Sequence, residues 1–363
     1  METRVAVDAR ALQRPGIGYF VVVDALLTEL DDAGYRLVLV TDENEHGAAL
    51  RERYPSAEVA VLKRTTWLVW EQIQLPAFLF RSRPDVWIAP TNFGVPLVTP
   101  SKTATVLVVM DLIPVRFARP YMTKRPVWAV QYLISTGLGL LAATRVVTIS
   151  DSTARDVRRV SRRHSRIIHP PIPAVRAERA ISDAPLSGEY VVYSGGFDTR
   201  KNFAMVMDAF GIYKSQHPDS AMKLVVLGDR VDLVEPMVAE RGWQDDVIVT
   251  GFVSEDDKYR YFQGATAVLY PSSFEGFGLV VVEAFAAGVP VICGTGGALR
   301  DVAADAGLLV DPLSPEGIAR LIDQAKDPVE RERVRMAGYR QLEVLRAQST
   351  GYAEVVANVV HAP

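Results

Sequence analysis

The sequence predicts an α/β fold made of two similar domains, and three observations lead to this prediction. Short runs rich in β-branched residues alternate with helix-length segments along the chain, as in parallel sheets covered by helices. The length of 363 residues is more than one hydrophobic core usually serves. A segment rich in proline and small polar residues, 169–188, interrupts the alternation near the middle. We therefore expect one domain over 1–175 and a second over 176–345.

The composition argues against several classes of protein. Hydrophobic residues make up 49% of the chain and charged residues 23%, which is ordinary for a globular protein. The formal net charge of -3 offers no general basic surface, so we expect no nucleic-acid partner. Cys293 is the single cysteine, which excludes an internal disulfide and a thiol-based metal cluster and fits a reducing cytoplasm.

The sequence pattern also lacks metal and membrane signals. The five histidines show no ligand spacing, so we expect no metal site. The N-terminal residues lack the apolar core of a signal peptide, and the longest apolar region, 128–144, is interrupted by Gln131, Ser135 and Thr136. We therefore expect a cytoplasmic protein without a membrane span.

The first half begins with a predicted strand, a glycine-containing loop and a helix. The strand runs from Arg4 to Arg10, and the helix from Tyr19 to Leu30. Backbone N–H groups at Gly16 and Gly18 could reach a phosphate, although a plain turn explains this spacing equally well. The further strands predicted in this half are 36–42, 57–62, 85–90, 103–111 and 144–150.

Three segments of this half have a composition that differs from that of an ordinary hydrophobic core. Residues 65–76 contain Trp67, Trp70 and Glu71, and residues 116–126 interleave aromatic residues with arginine and lysine. Flat aromatic faces bind sugars and cations bind anionic groups, so both segments could contact a ligand. Ordinary core packing for the aromatic residues and a solvated loop for the basic residues explain the two segments equally well. The arginine-rich run 155–166 fits a solvated helix face with a buried Val157–Val160 stripe, and a contact with an anionic membrane is the alternative.

The second half opens with the strand-like run EYVVYS, a Gly195–Gly196 turn and the cations Arg200 and Lys201. Asn202 is a plausible N-cap for the next helix. That helix should bury one face, formed by Phe203, Val206, Met207 and Phe210. Two cations at a helix N-terminus beside a glycine turn suit a diphosphate, and a solvated surface is the simpler alternative. Further strands are predicted at 223–230, 246–254 and 265–270.

The stretch Tyr270–Cys293 combines a strand, a loop, a helix and a strand, and it carries Glu275 and Glu283 eight positions apart. Glu283 is the only charge in an apolar helix, so it needs a fixed partner: an arginine, a backbone amide or a ligand. The first helical turn, near Phe277, Gly278 and Leu279, presents N–H groups that suit a phosphate.

This stretch resembles the signature of retaining glycosyltransferases of family 4, which have the GT-B fold: two Rossmann-like domains that face each other across a cleft. The Gly-Gly-x-x-x-x-Lys-Asn pattern that begins at Gly195 agrees with the same family. The resemblance implies a nucleotide-sugar donor and a glycan, lipid-linked or natural-product acceptor held by the N-terminal domain. It also implies that the C-terminal helix, within 346–363, packs back on the N-terminal domain.

The resemblance assigns roles by position. Glu275 would lie beside the transferred sugar, Glu283 would bind the ribose, and the backbone near Phe252 and Val253 would meet the base. The groups assigned to the donor phosphates are Gly16, Gly18, Gly195, Arg200, Lys201 and the turn Phe277–Leu279. With these cations in place, neither a metal nor another cofactor is expected, and the anomeric configuration is retained.

One position differs from the family. Where it usually reads His-Asp-Leu-Ile-Pro, this chain has Met110, whereas Asp111 and Pro114 agree and make Asp111 a candidate catalytic residue. A thioether packs against methyl groups, so a 6-deoxy sugar donor is one alternative to the favoured GDP-mannose. A pseudo-transferase or epimerase, and a catalytically inactive partner subunit, are the other functions considered.

Overall fold

The computed structural model describes residues 2–13, 18–176, 185–228 and 230–361. Contacts divide the chain into two units: the first comprises Met1–Pro171 with Gln348–Pro363, and the second comprises Ile172–Ala347. Both units are built on a parallel sheet, so the prediction of an α/β fold with two Rossmann-like domains is confirmed. Gly16 of the predicted glycine loop lies outside the described residues.

The described part of the first unit has a seven-stranded parallel sheet with the order β3-β2-β1-β4-β5-β6-β7. The strands are β1 (Arg4–Asp8), β2 (Arg36–Thr41), β3 (Glu58–Val61), β4 (Val86–Ala89), β5 (Ala104–Val109), β6 (Arg145–Thr148) and β7 (Arg166–Ile167). The direction of strand order reverses between β1 and β4. In open sheets of this kind, ligands bind outside the carboxyl ends of the strands at such a reversal.

Helices cover this sheet. Up to the end of the predicted first domain they are α1 (Gly18–Asp32), α2 (Asn44–Arg53), α3 (Trp67–Val69), α4 (Leu75–Ser82), α5 (Ile113–Arg116), α6 (Ala118–Lys124), α7 (Pro126–Ala142) and α8 (Asp151–Ser161). A 3₁₀ turn, Arg10–Gln13, follows β1, and a π-helical turn, Trp70–Gln74, joins α3 to α4.

Two expectations for the first unit need correction. Trp70 is almost fully buried in a core cluster with Trp87, and Arg10 stacks over its ring at 3.4 Å from the centroid. It therefore packs in the core and presents no face to a sugar. On α8, Val157 is fully buried but Val160 is half exposed, so the two valines do not form one buried stripe.

The described part of the second unit has a six-stranded sheet with the order β10-β9-β8-β11-β12-β13. Its strands are β8 (Tyr190–Ser194), β9 (Lys223–Leu227), β10 (Val247–Gly251), β11 (Ala267–Tyr270), β12 (Val291–Cys293) and β13 (Leu308–Leu309). Every strand pairs in parallel with its neighbour. Here the order reverses between β8 and β11.

The described α-helices of the second unit are α9 (Phe203–Gln216), α10 (Val231–Arg241), α11 (Glu255–Gly264), α12 (Leu279–Ala286), α13 (Leu299–Ala303), α14 (Pro315–Lys326) and α15 (Pro328–Arg346), and a 3₁₀ turn, Thr199–Lys201, precedes α9. The predicted inner face of α9 is confirmed, because Phe203, Val206, Met207 and Phe210 are all buried in the core. The Ser254 side chain accepts a hydrogen bond from Asp257 N and so caps α11.

The last helix, α16 (Tyr352–Val360), belongs to the first unit. The Glu29 carboxylate of α1 accepts hydrogen bonds from Gly351 N at 2.9 Å and Ala353 N at 3.0 Å, at the start of α16. Tyr352 and Val356 on this helix are buried. Among the described residues, no helix is long and apolar enough to cross a membrane.

Candidate functional site

The candidate site lies in the second unit, at the carboxyl ends of the neighbouring strands β8 and β11. Arg200 and Lys201 follow β8, and Glu275 follows β11. Because parallel strands end at one edge of a sheet, residues about 75 positions apart in sequence meet there. This edge is also where the strand order reverses, the usual place for a ligand in an open α/β sheet.

Glu275 is the centre of the cluster. Its Oε1 accepts hydrogen bonds from Arg200 Nη1 at 2.5 Å, Lys201 Nζ at 2.6 Å and Ser272 Oγ at 2.6 Å. Burial acts to raise the pKa of this carboxyl, but Lys201 and Arg200 outweigh it, so the pKa lies below the ordinary value. Glu275 is therefore ionised at neutral pH.

Lys201 is held from two sides. Its Nζ also donates to Tyr270 Oη at 2.7 Å and lies 4.6 Å from the centroid of that ring. Burial lowers the pKa of Lys201 although Glu275 opposes this, and burial raises the pKa of Tyr270 well above its usual value. With Lys201 protonated, two cations face one carboxylate, and the excess positive charge suits an anionic ligand.

Arg200 has donor capacity to spare. Its Nη1 reaches both Glu275 and the Phe274 carbonyl, at 3.1 Å for the carbonyl. Its buried Nε has no hydrogen-bond partner among the described residues. Burial acts to lower the pKa of Arg200, but Glu275 reverses this and the pKa is raised. The guanidinium therefore stays charged, and part of its hydrogen-bond donor capacity is unused among the described residues.

The two loops that carry these groups are tied together. Ser273 N donates to Arg200 O at 2.8 Å. Asn202 adopts a left-handed conformation with φ 54°, and its Nδ2 donates to Pro271 O and Ser273 Oγ. The expected N-cap role of Asn202 is therefore wrong for its side chain, which ties the loops and leaves the helix uncapped by it.

A glycine-rich loop after β12 packs against the backbone of Glu275. A Cβ added at Gly296 would lie 1.8 Å from Ser273 O, and one at Gly297 would lie 2.2 Å from Glu275 O. Ala298 N donates to Glu275 O at 3.0 Å. Sequence reasoning missed Gly294, Gly296 and Gly297; the run GTGG directly after a predicted strand was the available signal.

The loop between Glu275 and α12 is also closely packed. Phe277 is buried, and Gly278 has φ 105°, a backbone conformation that side chains rarely adopt; a Cβ there would also lie 2.8 Å from Leu299 Cδ2. Leu279 is the first residue of α12, whose opening N–H groups have no partner within the helix. These groups begin four residues after Glu275.

Glu283 has the fixed partner that its helix requires, and it is a lysine. Lys258 Nζ of α11 lies 3.0 Å from Glu283 Oε1 and also pairs with Glu255. Burial raises the pKa of Glu283, with Lys258 opposing the shift. The partner is neither the arginine nor the backbone amide that the sequence led us to consider.

Two other predicted donor positions also lie in the second unit. Gly195 lies against the Tyr270 ring, since a Cβ there would be 3.1 Å from Tyr270 Cε2. Val253 is half-buried just after β10, next to the highly exposed Phe252.

The remaining predicted positions belong to the first unit. Gly18 is the first residue of α1. The Asp111 carboxylate accepts from Ile113 N at 3.0 Å. Met110 is only 3% exposed, and its backbone N donates to Asn92 Oδ1.

Comparison with known proteins identifies both halves of the chain. The family model "Glycosyltransferase Family 4" matches residues 18–176, and "Glycosyl transferases group 1" matches residues 175–341. The two models together span residues 18–341, and each matches one half of the chain. The predicted GT-B fold class is confirmed.

Curated relatives match over limited segments. The chain is 30% identical to O-antigen chain mannosyltransferase B of Escherichia coli over 39% of this chain and 38% of that protein. It is 30% identical to D-inositol 3-phosphate glycosyltransferase of Acidothermus cellulolyticus over 44% of this chain and 38% of that one. The chain thus matches under two fifths of the length of these relatives.

Solved structures match over the full length. Anabaena Alr3699/HepE in complex with UDP and glucose has a TM-score of 0.73, with 14% identity and complete coverage of both chains. Sucrose-phosphate synthase from Thermosynechococcus elongatus has a TM-score of 0.74 with 20% identity, covering 98% of this chain and 96% of that one. At these identities the likeness concerns the fold.

Proposed function

We propose that this protein is a glycosyltransferase that moves a hexosyl group from a nucleotide sugar to a glycan or lipid-linked acceptor, with retention of the anomeric configuration. The observation that carries the proposal is the cluster of Arg200, Lys201 and Glu275 where the strand order reverses. Two glycosyltransferase domain matches and a full-length likeness to a protein crystallised with UDP-glucose support it.

The cluster fits the charge that develops during sugar transfer. The bond between the anomeric carbon and the phosphate oxygen breaks, and negative charge grows on the departing diphosphate. Arg200 and Lys201 stabilise that charge, together with the first N–H groups of α12. Preorganised cations supply what a divalent ion supplies in other transferases, so we propose a reaction that needs no metal.

Glu275 orients the sugar in this mechanism. Its hydrogen bonds with Arg200, Lys201 and Ser272 all end on Oε1, and we propose that Oε2 accepts a sugar hydroxyl. A carboxylate held by two cations and with a lowered pKa is a weak nucleophile. The departing phosphate is then the base that takes the acceptor proton, and the acceptor attacks from the same face.

We propose GDP-mannose as the donor, with UDP-glucose as its main competitor. The matched segment shared with a mannosyltransferase supports mannose, and the UDP-glucose complex of the Anabaena protein supports the competitor. The 6-deoxy alternative depended on Met110 facing the sugar. The deep burial of that side chain favours a packing role instead and leaves an ordinary hexose as the proposed donor.

A binding screen tests the proposal. Nucleoside diphosphates at one hundred times their Kd should stabilise the protein by about 2.7 kcal/mol, seen as a higher unfolding midpoint. Arg200→Ala should abolish this shift, whereas Arg335→Ala, which removes a half-exposed arginine of α15, should keep it. If no nucleoside diphosphate or sugar nucleotide stabilises the native protein, the proposed donor site is wrong.

A turnover assay tests the chemistry. GDP-mannose and UDP-glucose are compared with and without a strong chelator, and NMR reports the anomer of the purified product. We expect turnover in chelator and a product anomer that matches the donor. An inverted linkage, or turnover that returns only with a divalent ion, contradicts the mechanism; binding without turnover of any donor favours the inactive-subunit alternative.

A further inference from the structure

Helix α7 exposes a row of apolar side chains. It buries the hydroxyl side chains Ser135 and Thr136 in the first unit, while Val127 is 80% exposed and Leu141 is 78% exposed. Val130 and Ile134 are exposed as well, and these four residues share one helix face because they are three, four and seven positions apart. An apolar stripe four turns long on a surface usually marks an interaction site.

Neighbouring segments of the first unit also expose apolar side chains. Ser135 Oγ donates to Glu71 Oε2 at 2.5 Å, which ties the π-helical turn to α7. Gln72 of the same turn accepts from Leu97 N at 3.1 Å. The segments joined in this way carry three further exposed apolar side chains, Ile73, Leu97 and Val98.

The chain around α7 is rich in cations. No aspartate or glutamate occurs between Asp111 and Asp151, whereas this interval contains five cations: Arg116, Arg119, Lys124, Arg125 and Arg145. Among the described residues, Arg119 and Arg125 have no carboxylate partner. At the other end of α7, the Arg163 guanidinium donates to Leu140 O and Thr144 O. Cations therefore flank both ends of the stripe.

Aromatic residues stand at the N-terminal end of the stripe. The rings of Tyr121 and Trp128 lie 5.6 Å apart, and Trp128 is partly exposed although it also contacts Tyr132. Tryptophan and tyrosine favour the boundary between lipid headgroups and acyl chains, because one end of each ring is apolar and the other polar.

We infer that the α7 face, defined as Val127, Val130, Ile134 and Leu141 with the flanking Arg119 and Arg125, lies in the plane of an anionic lipid bilayer. Such a surface offers acyl chains to the stripe and phosphates to the cations at once. A second copy of this chain fits less well, because it would place like charges opposite each other. The inference does not depend on the proposed function, and binding is measured without turnover.

Vesicle flotation tests the inference. The native protein should bind vesicles that contain phosphatidylglycerol and should bind pure phosphatidylcholine vesicles much less. Leu141→Glu should lower the partition coefficient about tenfold, since a leucine no longer enters the bilayer. Arg119→Gln with Arg125→Gln should lower it about 30-fold, because each cation near an anionic surface contributes about 1 kcal/mol.

Val329→Glu is the matched control, because Val329 on α15 of the second unit is 77% exposed and lies outside the α7 face. Circular dichroism and thermal unfolding should show all variants folded as the native protein. Native protein that does not float with anionic vesicles overturns the inference. Leu141→Glu protein that floats to the same extent as Val329→Glu protein overturns it too. A native dimer that Leu141→Glu converts to a monomer, without vesicle binding, makes a second copy the occupant and equally overturns it.

Discussion

At the scale of single residues, Glu275 sets the geometry of the candidate site. Arg200 and Lys201 both end on its Oε1, so the carboxylate fixes the distance between two cations that would otherwise repel. The sequence placed all three in one donor site because each matches a motif. It could not show that they contact one another, because pairs about 75 residues apart meet only once β8 and β11 have paired.

Glu275→Gln should destabilise the protein by about 3 kcal/mol at pH 7, because two buried cations lose their carboxylate. The pKa of Glu275 is below its ordinary value of 4.5 in the folded protein. Its stabilising effect is therefore complete above pH 4.5 and is lost as pH falls through the folded pKa. Thermal unfolding of the native and Glu275→Gln proteins from pH 7 downward should show that the difference between their stabilities becomes smaller below pH 4.5.

Glu332→Gln is the control for this comparison, since Glu332 pairs with Arg335 on the exposed face of α15. Its effect should stay within about 0.5 kcal/mol. If the difference in stability between the native and Glu275→Gln proteins stays constant down to pH 3.5, the proposed role of ionised Glu275 is contradicted.

Glu283→Gln should weaken binding of a nucleoside diphosphate and of the intact sugar nucleotide by the same factor, about tenfold. If Glu283 accepts hydrogen bonds from the ribose, the amide keeps the shape but loses the charge-assisted part of the bond. Isothermal titration of both ligands measures the two factors. Glu255→Gln is the control, because Glu255 also pairs with Lys258 but is largely exposed. If both variants lose the same affinity, the weaker binding is due to the altered Lys258 and not to a contact of Glu283 with the ribose.

At the scale of elements, the sequence located most strands to within a few residues. The run predicted at 103–111 forms β5 at Ala104–Val109, because a strand buried on both faces of a parallel sheet has an unmistakable β-branched composition. The π-helical turn at Trp70–Gln74 could not be predicted. Its composition resembles an aromatic binding loop, and only the contact of Trp70 with Arg10 and the core decides that it packs inward.

Gly296→Ala should disrupt the loop behind Glu275, because the new Cβ would lie 1.8 Å from Ser273 O and backbone must move. We expect a loss of more than about 3 kcal/mol in stability, measured by denaturant unfolding. Gly137→Ala is the control: it lies in α7 with nothing within 4 Å of a new Cβ, so it should be neutral or stabilising by up to about 1 kcal/mol. Similar stabilities for the two variants contradict the close backbone packing.

At the scale of the whole molecule, the chain passes through the second unit and returns to the first. The composition located the interruption at 169–188, and contacts divide the units between Pro171 and Ile172. The sequence pattern cannot show which unit the last helix joins, because its buried residues Tyr352 and Val356 would suit either core. The family resemblance, together with the hydrogen bonds of Glu29, accounts for that part of the architecture.

Because α16 packs in the first unit, it should contribute to the stability of that unit, and a substitution at Val356 measures this contribution. Val356 is fully buried in this helix, whereas Asn358, two positions later, is exposed. Val356→Asp should cost about 3 kcal/mol or more, since it buries an unpaired carboxylate, and Asn358→Asp should cost at most about 1 kcal/mol, since its carboxylate is exposed in the last turn of the helix. Hydrogen exchange followed by peptide mass spectrometry should show faster exchange in α1, which holds Glu29, with α9 of the second unit unchanged. Loss of protection in α9 and not in α1 would mean that α16 stabilises the second unit instead.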